Sequence, residues 1–108
     1  LGAVADADYR TNIGLIELTA FPSGITSVNV RVEIVDSTGR TADSFLVSVP
    51  MTGGMQLNDI FRARPMNIEG AALIRISPLG GTVGAYATMI DNRTNDALYL
   101  GANLAATE

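Results

Sequence analysis

The alternation of apolar and polar positions along this chain predicts a protein built from β-strands. The clearest case is residues 27–35, where valine or isoleucine occupies every second position and asparagine, arginine or glutamate stands between them. A period of two places one apolar face against a core and one polar face in water. Weaker versions of the pattern predict further strands at residues 9–20, 41–49, 54–58, 71–77, 82–91 and 97–101.

The segments between these strands carry the residues that turns require. Asp36 and Gly39 occupy the first and fourth positions of one predicted reverse turn. Proline or glycine marks the other predicted turns, at residues 21–24, 50–54 and 78–81. The strand at 82–91 is small or apolar on both faces, which predicts a central strand that is packed on both sides.

One helical turn is predicted near residues 59–62. Asn58 or Asp59 stands where a cap is needed, and Pro65 is expected to end the turn. Two apolar side chains of this turn are expected to close the end of the core, namely Ile60 and Phe61.

About seven short strands with one helical turn indicate an all-β fold, an immunoglobulin-like antiparallel β-sandwich. A small barrel is the alternative architecture. A chain of 108 residues has the size of one domain. We expect a linker or lead-in at residues 1–8, the sandwich domain at 9–101 and a frayed tail at 102–108.

The charged residues argue against nucleic acid as a partner. All seven basic residues are arginines, they are scattered, and eleven acids outnumber them for a net charge of −4. The chain therefore lacks a basic stripe that would neutralise a phosphate backbone. Its apolar runs are also far shorter than the roughly 20 residues that cross a bilayer, so membrane insertion is not expected.

The chain contains no cysteine, no histidine and no tryptophan. Catalytic triads and thiolate nucleophiles depend on the first two residue types. The acids stand singly in predicted strands and turns, whereas glycosidases need two carboxylates across a cleft. We therefore expect no enzyme activity and assign no catalytic residue.

Four segments, taken together, resemble a known family. They are residues 9–15 (YRTNIGL), 30–36 (VRVEIVD), 55–61 (MQLNDIF) and 90–96 (IDNRTND). In this order they resemble an immunoglobulin-like module of uncharacterised secreted or cell-surface bacterial proteins, and the resemblance spans nearly the whole chain. It implies an extracellular or cell-surface location and a non-catalytic role as a spacer, stabilising or adhesion module. Because the chain begins with Leu1, we expect a fragment or a processed product.

One polar constellation links the first strand to a late loop. Arg10 is expected to form a bidentate pair with Asp91, supported by Asn12 and Arg93, and thereby to stabilise the fold. The functional alternative is a small anion or metal site in the loop itself, with Asp91, Asn92, Asn95 and Asp96 as its ligands.

Calcium is the ion that acidic loops of this kind would suit, because its ligands are hard oxygens. Acidic residues occur at Asp6 and Asp8, at Asp36, and at Asp91 with Asp96. None of these groups has the spacing of an EF-hand or of a repeat-type calcium loop. We therefore expect no cofactor, and a structural calcium stays the weaker alternative.

Carbohydrate binding is the alternative function, because sugar-binding modules commonly present aromatic rings to a sugar face. Phe45 is in phase with core valines and Phe61 belongs to the helical turn. This leaves Tyr9, Tyr86 and Tyr99 as the candidate ligand surface.

The expected protein partners are other domains of the parent protein or further copies of this chain. Lysine commonly protects the edge strands of sheets, and this chain has none. An unprotected edge can accept a strand from a neighbour.

Overall fold

The computed structural model describes residues 1–5, 8–18, 27–50, 54–63, 66 and 68–106, and for residues 100–106 it describes the backbone. Asp6, Pro65, Gly53 and the turn predicted at residues 21–24 lie outside this part of the chain.

Eight strands and one short helix make up the described fold. The strands are β1 (Gly2–Ala5), β2 (Tyr9–Glu17), β3 (Ser27–Asp36), β4 (Thr41–Pro50), β5 (Gly54–Leu57), β6 (Gly70–Pro78), β7 (Thr82–Asp91) and β8 (Ala97–Ala106), with α1 (Ile60–Ala63) between β5 and β6. They form two four-stranded sheets in which every pairing is antiparallel. The predicted all-β sandwich is confirmed, with eight strands instead of about seven.

The first sheet has the order β1-β6-β3-β4, and the second has the order β5-β2-β7-β8. Among the described strands the chain changes sheet five times, and it stays within one sheet only from β3 to β4 and from β7 to β8. Within the sheets β2 pairs with β7, and β3 pairs with β6. In the constant-type immunoglobulin sandwich the first, second, fifth and fourth strands form one sheet in that order. The two architectures therefore agree in layers and differ in strand order.

The core lies between the sheets, and the period-two pattern of β3 determines its centre. Val28, Val30, Val32 and Ile34 are all at most 2% exposed. The second sheet supplies the opposing layer of the same buried cluster, with Ile13, Leu15, Val83 and Ala85. Burying each large aliphatic side chain contributes about 1.5–3 kcal/mol, so this layer is the main source of stability.

The strand β4 adds its apolar face to this core in the predicted phase. Phe45, Val47 and Val49 lie opposite core valines of β3, at register positions Val32, Val30 and Val28. β7 is a central strand, as predicted, because it lies between β2 and β8. Its inner residues are buried, but its outer residues are only partly covered.

The predicted lead-in at residues 1–8 and the predicted tail at 102–108 both need correction. Residues 2–5 form β1, which pairs with β6 and buries Ala3 and Ala5. The last strand continues past residue 101 to Ala106, paired along its length with β7. Glycine and alanine have low strand propensity, so the neighbouring strand and not the local sequence decides these pairings.

The turn between β3 and β4 is built around the carboxylate of Asp36, as the sequence predicts. Its Oδ1 accepts hydrogen bonds from the Thr38 hydroxyl (2.6 Å) and from the backbone N–H groups of Thr38 and Arg40 (3.0 Å each). Led by the Thr38 hydroxyl, these donors lower the pKa of Asp36 to about 2. Gly39 adopts a φ of 87°, which glycine tolerates without strain.

The predicted helical turn is α1, one residue later than expected. The backbone carbonyl of Asp59 accepts hydrogen bonds from the N–H groups of Arg62 and Ala63 (3.0 and 2.8 Å). Ile60 is 2% exposed and Phe61 packs against the core cluster, which confirms that these two side chains close the end of the core. The backbone N–H of Asp59 donates to Oδ1 of Asn12 (2.9 Å), and this bond attaches the turn to β2.

Thr11 is a polar side chain inside the core. It is 1% exposed, and its hydroxyl has no hydrogen-bond partner among the described residues. It shares the inner face of β2 with Ile13 and Leu15. Burying a hydroxyl without a hydrogen-bond partner destabilises the folded state by the full desolvation free energy of that group.

We expect Thr11→Val to raise the free energy of unfolding by about 1 kcal/mol, because it removes the unpaired hydroxyl and keeps the branched shape. Denaturant unfolding followed by circular dichroism measures the change. Thr11→Ser is the control, since it keeps the hydroxyl, loses a methyl group and should be less stable than the parent. A valine variant that is less stable than the parent would contradict this account.

Candidate functional site

The predicted pair between Arg10 and Asp91 does not form, because the two side chains lie on opposite faces of the second sheet. The register places Asp91 opposite Tyr9, and it places Arg10 opposite Ile90. Side chains alternate along a strand, so neighbours in sequence point to different faces. Arg10 instead donates from Nη1 to Oδ1 of Asn92 (2.7 Å). The sequence therefore identified the correct ends of the chain and the wrong partner.

Asp91 pairs with Arg93 in its own loop. Arg93 donates from Nε to Oδ1 and from Nη2 to Oδ2 of Asp91, both at 3.1 Å, and its backbone N–H donates to Oδ1 at 2.8 Å. The side-chain bonds from Arg93 are the main reason that the pKa of Asp91 is lowered. Arg93 also lies over the ring of Tyr9, 5.7 Å from its centroid, and it donates from Nη2 to the Tyr9 hydroxyl (3.4 Å).

Backbone hydrogen bonds close the loop around this pair. The carbonyl of Asp91 accepts from the N–H of Asn95 (2.8 Å), and the N–H of Asp91 donates to the carbonyl of Asp96 (2.9 Å). The N–H of Asn92 donates to the carbonyl of Asp8 (2.8 Å), which joins the loop to the start of β2. Asn95 has a φ of 62°, in the left-handed region that asparagine tolerates better than most residues.

The acidic residues of this loop belong to no group of three or more acidic side chains among the described residues. Nowhere in the described ranges do three aspartate, glutamate, histidine or cysteine side chains group together. Asp91 already has the Arg93 guanidinium as its counter-charge. Asn12, predicted as a member of this cluster, instead accepts the hydrogen bond from Asp59 that holds α1. What the arrangement does is fix the loop to the end of the second sheet.

The three tyrosines are divided between two faces of the second sheet. Tyr86 pairs with Gly14, and Tyr99 pairs with Thr88, so both tyrosines lie on the outer face. Tyr9 pairs with Asp91, which places it on the other face at the loop end. The candidate ligand surface therefore contains two of its three predicted members.

Tyr86 extends across the neighbouring strand and covers Gly14. A Cβ atom at Gly14 would coincide with the tyrosine ring, so no side chain larger than hydrogen fits beneath it. Gly14 is buried even though it belongs to the outer face. The ring is thereby held against the sheet. This contact could be predicted from the sequence only if the register between β2 and β7 were already known.

We call the outer face of the second sheet around these rings the tyrosine face. The strand register assigns to this face the residues Tyr86, Tyr99, Asn12, Thr88, Gln56 and Ile16. Tyr99 is 62% exposed and Ile16 is 44% exposed. A surface with one exposed and one half-buried ring on the same face as hydroxyl and amide groups can stack against an apolar face of a ligand and hydrogen-bond to its edge.

A groove that the sequence did not predict lies along the side of the sandwich where the edge strand β4 of the first sheet meets the edge strand β5 of the second sheet and α1. Its volume is about 320 Å³. The residues that line it are Phe45, Leu46, Val47, Gln56, Leu57, Asn58, Ile60 and Ala63. This volume is at the lower end of the range for small-molecule sites, and the lining has no ionisable side chain.

Comparison with known proteins adds no relative to this description. No family model, no curated protein and no solved structure matches the chain. None of the described helical residues forms a segment long and apolar enough to cross a membrane.

We expect Asp91→Asn to lower the melting temperature at neutral pH, because the variant loses the charge that Arg93 binds. The folded-state pKa of Asp91 lies below its ordinary value. Its contribution to stability is therefore present above that ordinary pKa and is lost as the pH falls toward the folded-state pKa. Thermal melts at neutral and acidic pH should show a difference between parent and variant that shrinks in acid.

Double-mutant cycles identify the partner of Asp91 directly. Asp91→Asn and Arg93→Gln should show coupling, because each removes the same ion pair. Asp91→Asn and Arg10→Gln serve as the control and should be additive. Coupling with Arg10 in place of Arg93 would show that the loop is arranged differently.

Proposed function

We propose that this domain is a non-catalytic accessory module of a larger secreted or cell-surface bacterial protein, where it serves as a spacer, stabilising or adhesion domain. The observation that best supports this proposal is the structural role of the polar residues near the end of β7. Three charged residues that the sequence analysis expected to stabilise the fold, Arg10, Asp91 and Arg93, form hydrogen bonds that attach a loop to the end of the second sheet. The absence of histidine and cysteine from the sequence points the same way.

The proposed setting rests on the resemblance to immunoglobulin-like modules. The two-sheet antiparallel sandwich supports the resemblance at the level of architecture. Its strand order differs from the constant-type immunoglobulin order, so the family assignment depends on the sequence motifs alone. An extracellular or cell-surface location follows from the same motifs, and the expected partners are the neighbouring domains of the parent protein.

An in-frame deletion of this domain from the parent gene tests the accessory role. We expect the neighbouring domain to keep its turnover of a small soluble substrate, because the module supplies no catalytic group. The protein should instead lose thermal stability or retention at the cell surface. Loss of turnover in a deletion protein that is still folded would contradict the proposal.

The second candidate function is carbohydrate binding, and the tyrosine face favours it. Tyr86 is fixed over Gly14, and Tyr99 occupies a diagonal position on the next strand. Thr88 lies between them in the register and Gln56 lies beside Gly14. Two rings on one face of the sheet, with hydroxyl and amide groups on the same face, suit the stacking and edge hydrogen bonds by which proteins hold a sugar.

Tyr99→Ala tests this candidate, with Tyr9→Ala as a matched control on the opposite face. If the tyrosine face binds a polysaccharide, Tyr99→Ala should lower the affinity about tenfold, because it removes one stacked ring. Tyr9→Ala should bind with the affinity of the parent. Affinity electrophoresis against a set of insoluble and soluble polysaccharides measures both. Equal binding by parent and Tyr99→Ala would exclude this face.

Repeating the assay with calcium and with a chelator tests the structural calcium.

A further inference from the structure

The groove bordered by β4, β5 and α1 opens onto the edge of the hydrophobic core. Ile60 lines this groove and is 2% exposed. Phe45, Val47 and Leu57 also line it, and all three are partly buried side chains that pack against the core cluster. Because the core already holds these side chains in place, a ligand in the groove would not have to order them. The apolar part of the groove is therefore formed in advance.

The wall of the groove that α1 supplies is attached to β2 through Asn12. Asn12 is 7% exposed, and its Oδ1 accepts a hydrogen bond from the backbone N–H of Asp59 (2.9 Å). Asp59 has a φ of 50°, in the left-handed region that residues with a side chain seldom adopt. It stands between Asn58 and Ile60, and both of these residues line the groove. The bond from Asn12 thus helps to hold the backbone conformation that places these two side chains at the groove.

Two of the lining side chains are polar, and they are amides that hydrogen-bond to each other. Nε2 of Gln56 donates to Oδ1 of Asn58 (2.5 Å). Neither side chain makes a second hydrogen bond within the part of the chain that the structure describes. Oε1 of Gln56 can therefore still accept a hydrogen bond, and Nδ2 of Asn58 can still donate one. The groove thus offers a ligand one acceptor and one donor on different residues.

The chemistry of the lining favours a small uncharged ligand. A carboxylate or an ammonium group would lose hydration there without gaining a counter-charge, because no lining side chain is ionisable. A carboxamide carries its acceptor and its donor on different atoms, which complements the free groups of Gln56 and Asn58. The volume of about 320 Å³ suits a small molecule, whereas a protein partner needs a surface of roughly 800 Å².

We propose that this groove is a binding site for a compact apolar molecule that carries one uncharged carboxamide group. The apolar body of the ligand lies against Phe45, Val47 and Leu57, and its carboxamide hydrogen-bonds to Gln56 and Asn58. This site is separate from the carbohydrate candidate, which depends on rings of the tyrosine face. It also does not depend on the accessory role, so each of these proposals can fail without the others.

Benzamide and benzoate test the proposal on the unmodified chain, because they have almost the same shape and differ in charge. Titration with each compound, followed by NMR of the backbone amides, measures both the affinity and the location of binding. We expect benzamide to cause saturable shifts in residues 45–47 and 56–63. Benzoate should bind at least about tenfold more weakly, because its charge would be buried without a partner. Equal binding of the two compounds, shifts that lie elsewhere, or no saturable shift with benzamide would overturn the proposal.

Asn58→Leu tests the amide pair, because it keeps the approximate size of the side chain and removes its hydrogen-bonding groups. It should weaken benzamide about tenfold and leave the affinity for toluene unchanged. Asn29→Leu is the matched control, since Asn29 is exposed on β3 and is not part of the lining. It should leave both affinities unchanged.

Ala63→Leu tests the groove itself, because the larger side chain occupies part of the volume that a ligand needs. Ala63 is exposed, so this variant should melt like the parent, and it should bind both benzamide and toluene more weakly. Benzamide affinity that is unchanged in both Asn58→Leu and Ala63→Leu, or that falls equally in Asn29→Leu, would place the ligand outside this groove.

Discussion

Burial of alternate apolar residues between two sheets is the constraint on which the rest of this structure depends. The inner faces of β2, β3, β6 and β7 supply most of the cluster that water does not reach. Because side chains alternate along a strand, fixing the inner residues of these four strands also fixes which residues face outward. The pairing of β2 with β7 and of β3 with β6 then sets the register of both sheets.

The burial of alternate apolar residues also determines the face of the sheet on which each polar residue lies. Arg10 and Asp91 are at the same end of neighbouring strands, but the register puts them one residue out of phase and therefore on different faces. Each finds a partner on its own side, Asn92 for Arg10 and Arg93 for Asp91. These bonds close the end of the sheet where the chain leaves β7. In this region the Asp91 carboxylate is ion-paired with Arg93, and the Arg10 guanidinium is hydrogen-bonded to the Asn92 amide.

The same constraint leaves two surfaces apolar without enclosing them. The tyrosine face exists because β7 has apolar or small residues on both sides, and only one side meets the opposing sheet. The exposed Leu98 exists because its strand is the last in the sheet. A closed barrel would lack the second feature, since a barrel has no free edge. The carbohydrate-binding candidate concerns the tyrosine face, and the accessory role concerns the place of this domain beside other domains.

The sequence alone determined the strands whose patterning is local, together with the turns that contain special residues. The alternation in β3, the apolar phase of β4, the Asp36–Gly39 turn and the helical turn beside Asp59 each depend on a few adjacent residues. β1 and the second half of β8 were missed, because alanine and glycine form strands only where a neighbour supplies hydrogen bonds. The order of strands, the partner of Arg10 and the division of the tyrosines were decided by the tertiary structure. These depend on register between segments far apart in the chain, and a shift of one residue moves every side chain to the other face.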